Sequence, residues 1–144
     1  KVKPRQPLKR TIRPAKRSKL RKVSKVPLSR IRTRCDNLLT PIVIKLHPKC
    51  LLCPNPTQVA HHHVHKSKSN RLRHELINLI NLCHKCHMAL HHNESYYASR
   101  IVQIKGLEWF KEIERMKQET IKTDRQHYEE VEKRLISYPH ISLT

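Results

Sequence analysis

Apolar residues are spread unevenly along this chain. Over positions 1–34 they occur singly, between lysines, arginines and the prolines at 4, 7, 14 and 27, with no acidic residue. That stretch reads as a flexible basic arm that cannot bury a core or hold a long helix. The first apolar run, Ile42-Val43-Ile44-Lys45-Leu46, suits a strand or a helix end, since so short a run has no decisive period. Pro48, Pro54 and Pro56 then mark a knuckle and a loop. Residues 58–65 predict a strand, the polar and basic residues 66–75 a loop, and Leu76–Leu82 a short apolar turn or strand. His84–His92 predicts a short helix.

Residues 96–137 carry helical periodicity. A helix over Tyr96–Lys105 should stop at Gly106, the only glycine of the chain, and a second should run from Leu107 to about Lys117. A third should start near Thr123, where Thr123-x-x-Gln126 forms a capping box. Its Tyr128, Val131 and Leu135 share one face, and these, like Trp109 and Phe110, read as core. The pattern predicts an α+β protein in three parts: an arm over 1–34, a core over 35–95 and a helical region over 96–144.

Charge changes the picture. Among 144 residues, 31 are Lys or Arg and 11 are Asp or Glu, a formal net charge of +20. Such an excess opposes compaction unless a polyanion neutralises it, and nucleic acid does so with release of counterions. Arg10, Arg13, Lys16 and Arg17 in the arm, and Lys66, Lys68, Arg71 and Arg73 in the loop, are the candidate phosphate contacts. A membrane partner is disfavoured, because the chain has no long apolar run and no basic amphipathic helix with aromatics opposite.

The five cysteines include two pairs, Cys50-x-x-Cys53 and Cys83-x-x-Cys86. Two such pairs predict a structural zinc held by four thiolates rather than disulfides, hence a reducing, cytoplasmic setting, and the basic N-terminus does not read as a signal peptide. A zinc staple would offset the entropy of a chain with few aromatics and a modest core. Cys35 is left without a role. His87 and His91, four apart on one helix face, form a second chelate, and a third ligand should come from the strand that carries His61, His62 and His63.

The string His62-His63-Val64, followed by Asn78 through His87 and then His91, between two CxxC pairs, resembles the HNH (His-Me finger) endonuclease motif. The resemblance covers residues 50–92. It implies a ββα-metal core around one catalytic divalent ion, with His63 as general base and His62, His87 and His91 as ion ligands. Asn78 would orient the base. The triple histidine also allows His61 and His62 to take these two parts. Mg2+ or Mn2+ would be the catalytic ion, with Zn2+ or Ni2+ acceptable to three imidazoles. DNA would be the substrate, leaving a 5′-phosphate and a 3′-hydroxyl. Tyr97–Ser137 further resembles the helical tail of Rap (NinG)-type phage recombination endonucleases, which implies branched DNA or Holliday junctions as targets, a bacterial host cytoplasm, and a homodimer as one way to make paired cuts. The competing class is a non-catalytic zinc protein, architectural or ribosome-associated, that binds nucleic acid. It shares the arm and the knuckle but has no use for a second metal site.

Overall fold

The computed structural model describes residues 26–138, so Arg10, Arg13, Lys16 and Arg17 lie outside the described residues. The order is α1 (Leu28–Leu46), β1 (Val59–His62), a single 3-10 turn (Leu76–Asn78), β2 (Leu79–Leu82), α2 (His84–His92), α3 (Glu94–Lys105), α4 (Leu107–Lys117) and α5 (Arg125–Ile136). The class is α+β, with one two-stranded antiparallel sheet among the described residues.

The first departure from expectation is α1. It begins inside the predicted arm and absorbs the run at 42–46, so the boundary at residue 34 falls within a helix. Its buried positions Ile31, Cys35, Leu39, Ile42 and Val43 recur at helical spacing. The basic residues between them occupy the other face, which hides the period. Pro27 sits at the N-cap, where a missing N–H costs nothing, and Pro41 lies on the exposed side. Against α1 packs α5, through Tyr128, Val131 and Leu135, as their shared face requires. The N-cap of α5 is Asp124, whose carboxylate accepts from the His127 amide at 3.0 Å, and not Thr123 of the expected capping box. Both candidates precede the same apolar face by one turn, and the carboxylate is the stronger acceptor for a helix N-terminus.

Predicted and observed bounds agree for α2 and α4, and Gly106 does separate α3 from α4, with φ +92°, a region that favours glycine. The sheet is shorter than the strand expected over 58–65. Val59 pairs with Leu82, Ala60 with Asn81, His61 with Ile80 and His62 with Leu79. Paired residues share a face of the pleat. Val59, His61, Ile80 and Leu82 therefore face one way. Ile80 and Leu82 pack there with Leu90 of α2 and Ile101 of α3. Ala60, His62, Leu79 and Asn81 face the other way, and Leu79 and Ala60 pack against α1 and α5. A third apolar cluster, Val64, Leu72, Ile113 and Met116, holds α4 beneath the loop between the strands. Trp109 bridges the second and third clusters and donates its Nε1–H to the Ile77 carbonyl at 2.9 Å. Among the described residues, no helix is long and apolar enough to cross a membrane.

Candidate metal centres and the histidine cleft

Cys50, Cys53, Cys83 and Cys86 come together with their sulfurs within 4.8 Å of one another. The Cys53 sulfur lies 3.6 Å from that of Cys83 and 3.5 Å from that of Cys86. Metal–sulfur bonds of about 2.3 Å at tetrahedral angles place sulfurs about 3.8 Å apart, so the four thiols fit a closed structural site for zinc. The backbone shapes each knuckle. Cys50 N donates to Asn55 O at 2.8 Å, and Asn81 Nδ2 donates to Lys49 O at 2.6 Å, which closes the first loop onto β2. Cys83 is the N-cap of α2, and its sulfur accepts from the Cys86 amide. That hydrogen bond leads the effects that pull the Cys83 thiol down to about 6, towards the thiolate that a metal binds. Cys35 sits apart, fully buried on α1 with its thiol donating to Tyr128 O, and burial raises it to about 11, an inert core thiol.

A second cluster joins His61, His87 and His91, one ligand nitrogen from each lying within 4.8 Å of the others. The Nε2 atoms of His87 and His91 are 3.2 Å apart. Two nitrogens held by one ion at about 2.0–2.1 Å would be about 3.3 Å apart. A hydrogen bond between the two rings would give the same distance. What makes the set a candidate chelate is the third ring, whose centroid lies 5.3 Å from that of His87 and 5.8 Å from that of His91. Burial, then the neighbouring imidazoles, pulls His61 down to about 4, and burial leads the lowering of His87. The neutral rings that result are the form that ligates metal.

The third member is thus His61, where the leading register expected His62. The pleat explains it: His61 shares the face of Ile80 on which α2 packs, whereas His62 points to the α1 side. His62 nevertheless lines the same cleft of about 210 Å3, with Ala60, His61, His65, Lys66, His87 and His91. It is the last residue of β1, at the end of the sheet. Its Nε2 lies 2.9 Å from the Arg73 carbonyl, an acceptor only, so Nε2 carries the proton and Nδ1 is the basic nitrogen. His63, the expected base, lies beyond the strand. Its ring packs edge-on against Trp109 and Phe110, at centroid distances of 4.8 and 6.4 Å, and does not line the cleft.

Asn78 is completely buried and locks the loop between the strands. Its Oδ1 accepts from Val64 N at 2.8 Å, and its Nδ2 donates to Val64 O at 3.0 Å and to Leu72 O at 3.1 Å, while its own carbonyl accepts from His63 N. Asn78→Ala would strand the Val64 amide and carbonyl and leave the Leu72 carbonyl with only the Glu75 amide at 3.3 Å. A loss of about 2–4 kcal/mol in unfolding free energy is expected, read by urea denaturation. A loss under about 1 kcal/mol would mean that water replaces the amide.

The expected phosphate contacts divide. Arg71 is tied to Glu75 and Glu119, and Arg73 to Asp36, so neither guanidinium is available as expected. Lys66 and Lys68 are exposed, and Lys66 sits at the cleft. Sequence reasoning missed Asp36 and the buried His74 it holds at 2.9 Å, because the partners are far apart along the chain. Comparison with family models, with curated proteins and with solved structures found no match to this chain.

Proposed function

We propose that the chain is a metal-dependent endonuclease of the HNH type that cuts DNA phosphodiester bonds. The observation that carries this reading is the convergence of His61, His87 and His91 in one cleft with His62, beside a loop locked by Asn78. A structural zinc held by the four cysteines would need none of these imidazoles. Held by the three histidines, a divalent ion would supply charge stabilisation to a phosphate oxygen and to the departing 3′ oxygen.

The remaining work falls to side chains of the chain. His62, neutral because burial lowers its basicity, offers Nδ1 to take a proton from the attacking water. The Arg73 carbonyl keeps that nitrogen unprotonated by fixing the other tautomer. Lys66 at the cleft edge supplies a cation for a flanking phosphate, and the net charge of +20 draws the polyanion in. His91 is exposed, so the cleft opens to solvent on the side from which a backbone would approach. The products are a 5′-phosphate and a 3′-hydroxyl. Branched DNA is the substrate class to try first, on the resemblance of residues 97–137, with a homodimer as the arrangement that would give paired cuts.

The test is incubation of the full chain with labelled duplex, single-stranded, nicked, flap and four-way DNA, in Mg2+ or Mn2+ and in EDTA, beside a metal analysis. Cleavage that EDTA abolishes, with one tight zinc and one exchangeable ion per chain, is expected. Tight DNA binding with one zinc only and no cleavage of any substrate would leave the non-catalytic class standing.

A further inference from the structure

We propose that Asp36, on α1, is a positioning residue for His62, acting through the peptide unit that joins Arg73 to His74. Both carboxylate oxygens are engaged. Oδ2 accepts from Arg73 Nη2 at 2.6 Å, and Oδ1 accepts from Arg73 Nε at 3.1 Å and from His74 Nε2 at 2.9 Å. The carbonyl that holds His62 belongs to the one planar group between these two residues. A single carboxylate therefore grips the side chains at both ends of that plane, and the direction of the carbonyl follows.

Neighbouring contacts tighten the grip. Asn78 holds the Leu72 carbonyl, and Arg134 of α5 donates to the His74 carbonyl at 3.2 Å. Arg73 Nη1 reaches back to the Lys66 carbonyl, at the start of the same loop. The His74 ring is buried edge-on against Tyr128 of α5. Helices α1 and α5 thus set the position of an acceptor that they do not themselves contain. The geometry goes beyond an ordinary ion pair between a helix and a loop. A pair that merely tied the loop down would need one of the two side chains, and it would leave the intervening plane gripped at one end only.

The consequence for cleavage rests on the nuclease reading above, but the positioning itself is a property of the ring and is read without any reaction. The probe is the full chain labelled with 15N, its His62 ring signals identified by their disappearance in His62→Ala. The wild-type ring should be a single Nε2–H tautomer. In Asp36→Asn the carboxylate grip is lost, and a mixture of tautomers is expected, with kcat about tenfold or more lower and KM for DNA unchanged. Arg73→Ala removes one of the two grips and should shift the ring in the same sense should Asp36→Asn fail to fold. The control is Glu132→Gln, which breaks the Arg34 pair between α1 and α5 but touches nothing that leads to Arg73. It should leave the tautomer as it is. An unchanged ring in both Asp36→Asn and Arg73→Ala overturns the proposal. So does an equal change in Glu132→Gln, which would mean general loosening of the helix pair. A wild-type chain that never cleaves DNA, yet whose ring responds as described, would sink the nuclease reading and leave the positioning role intact.

Discussion

His62→Ala should abolish DNA cleavage, while His63→Ala should leave it within about tenfold of the unsubstituted chain. The two residues are neighbours with the same side chain, so position alone separates them. His62 lines the cleft with the three clustered imidazoles, and its tautomer is fixed by the Arg73 carbonyl. Loss of a general base costs about 10²–10⁴ in rate. His63 meets Trp109 and Phe110 instead, so its removal takes away packing rather than chemistry. A stability loss of about 1–2 kcal/mol is expected there. Single-turnover cleavage in Mn2+, with DNA affinity and zinc content measured on the same preparations, separates the cases. Both variants should bind DNA and hold zinc. A dead His63→Ala with an active His62→Ala would restore the register in which His63 is the base.

That register shows where the reading of residues stops short of the fold. Histidines 61, 62 and 63 are chemically identical, and only the pairing of His61 with Ile80 assigns each one a face. The end of β1 at His62 is a tertiary matter, set by the Asn78 lock and not by any local signal. Other features are legible because their signals are local. A glycine at positive φ separates α3 from α4, two CxxC spacings gather four sulfurs, and Tyr128, Val131 and Leu135 recur at helical intervals. The helix α1 is hidden by its cations, which suggest an arm although the apolar residues beneath keep the period. Arg71 and Arg73 look free in the sequence for a related reason. Glu119 and Asp36, which neutralise them, are close only once α1, the loop and the end of α4 have packed. For Asp36, burial works to raise its carboxyl, but the hydrogen bonds from His74 and Arg73 outweigh it and hold the group well below the usual range. A carboxyl depressed on folding stabilises the fold above its ordinary pKa and loses that contribution as pH falls. The α1 clamp should therefore weaken under strong acid and not near neutrality.

Removal of metal from the four cysteines should unfold the protein, and replacement of any one by serine should do nearly the same. Cys50 and Cys53 come from the loop after α1, and Cys83 and Cys86 from the start of α2, so the site joins segments that no helix connects. Four sulfurs at tetrahedral spacing, with a capping amide and a depressed thiol at Cys83, are arranged for a bound ion. Structural zinc sites of this size contribute about 10–16 kcal/mol near neutral pH, at least as much as the margin of about 5–15 kcal/mol that separates most domains from unfolding. The apolar cluster beside the site, Ile80, Leu82, Leu90 and Ile101, would lose the crosslink that holds its two sides together. Circular dichroism and tryptophan emission should change cooperatively as a strong chelator is added, because Trp109 packs against this cluster and the next. Added Zn2+ should restore both signals, whereas Mg2+, a poor partner for thiolates, should not. Cys35→Ser is the control: that thiol makes no contact with the site, and its substitution should lower stability modestly with zinc content unchanged. A chain that keeps its native signals after complete loss of zinc would make the four sulfurs an ordinary thiol cluster and leave the fold to its three small cores alone.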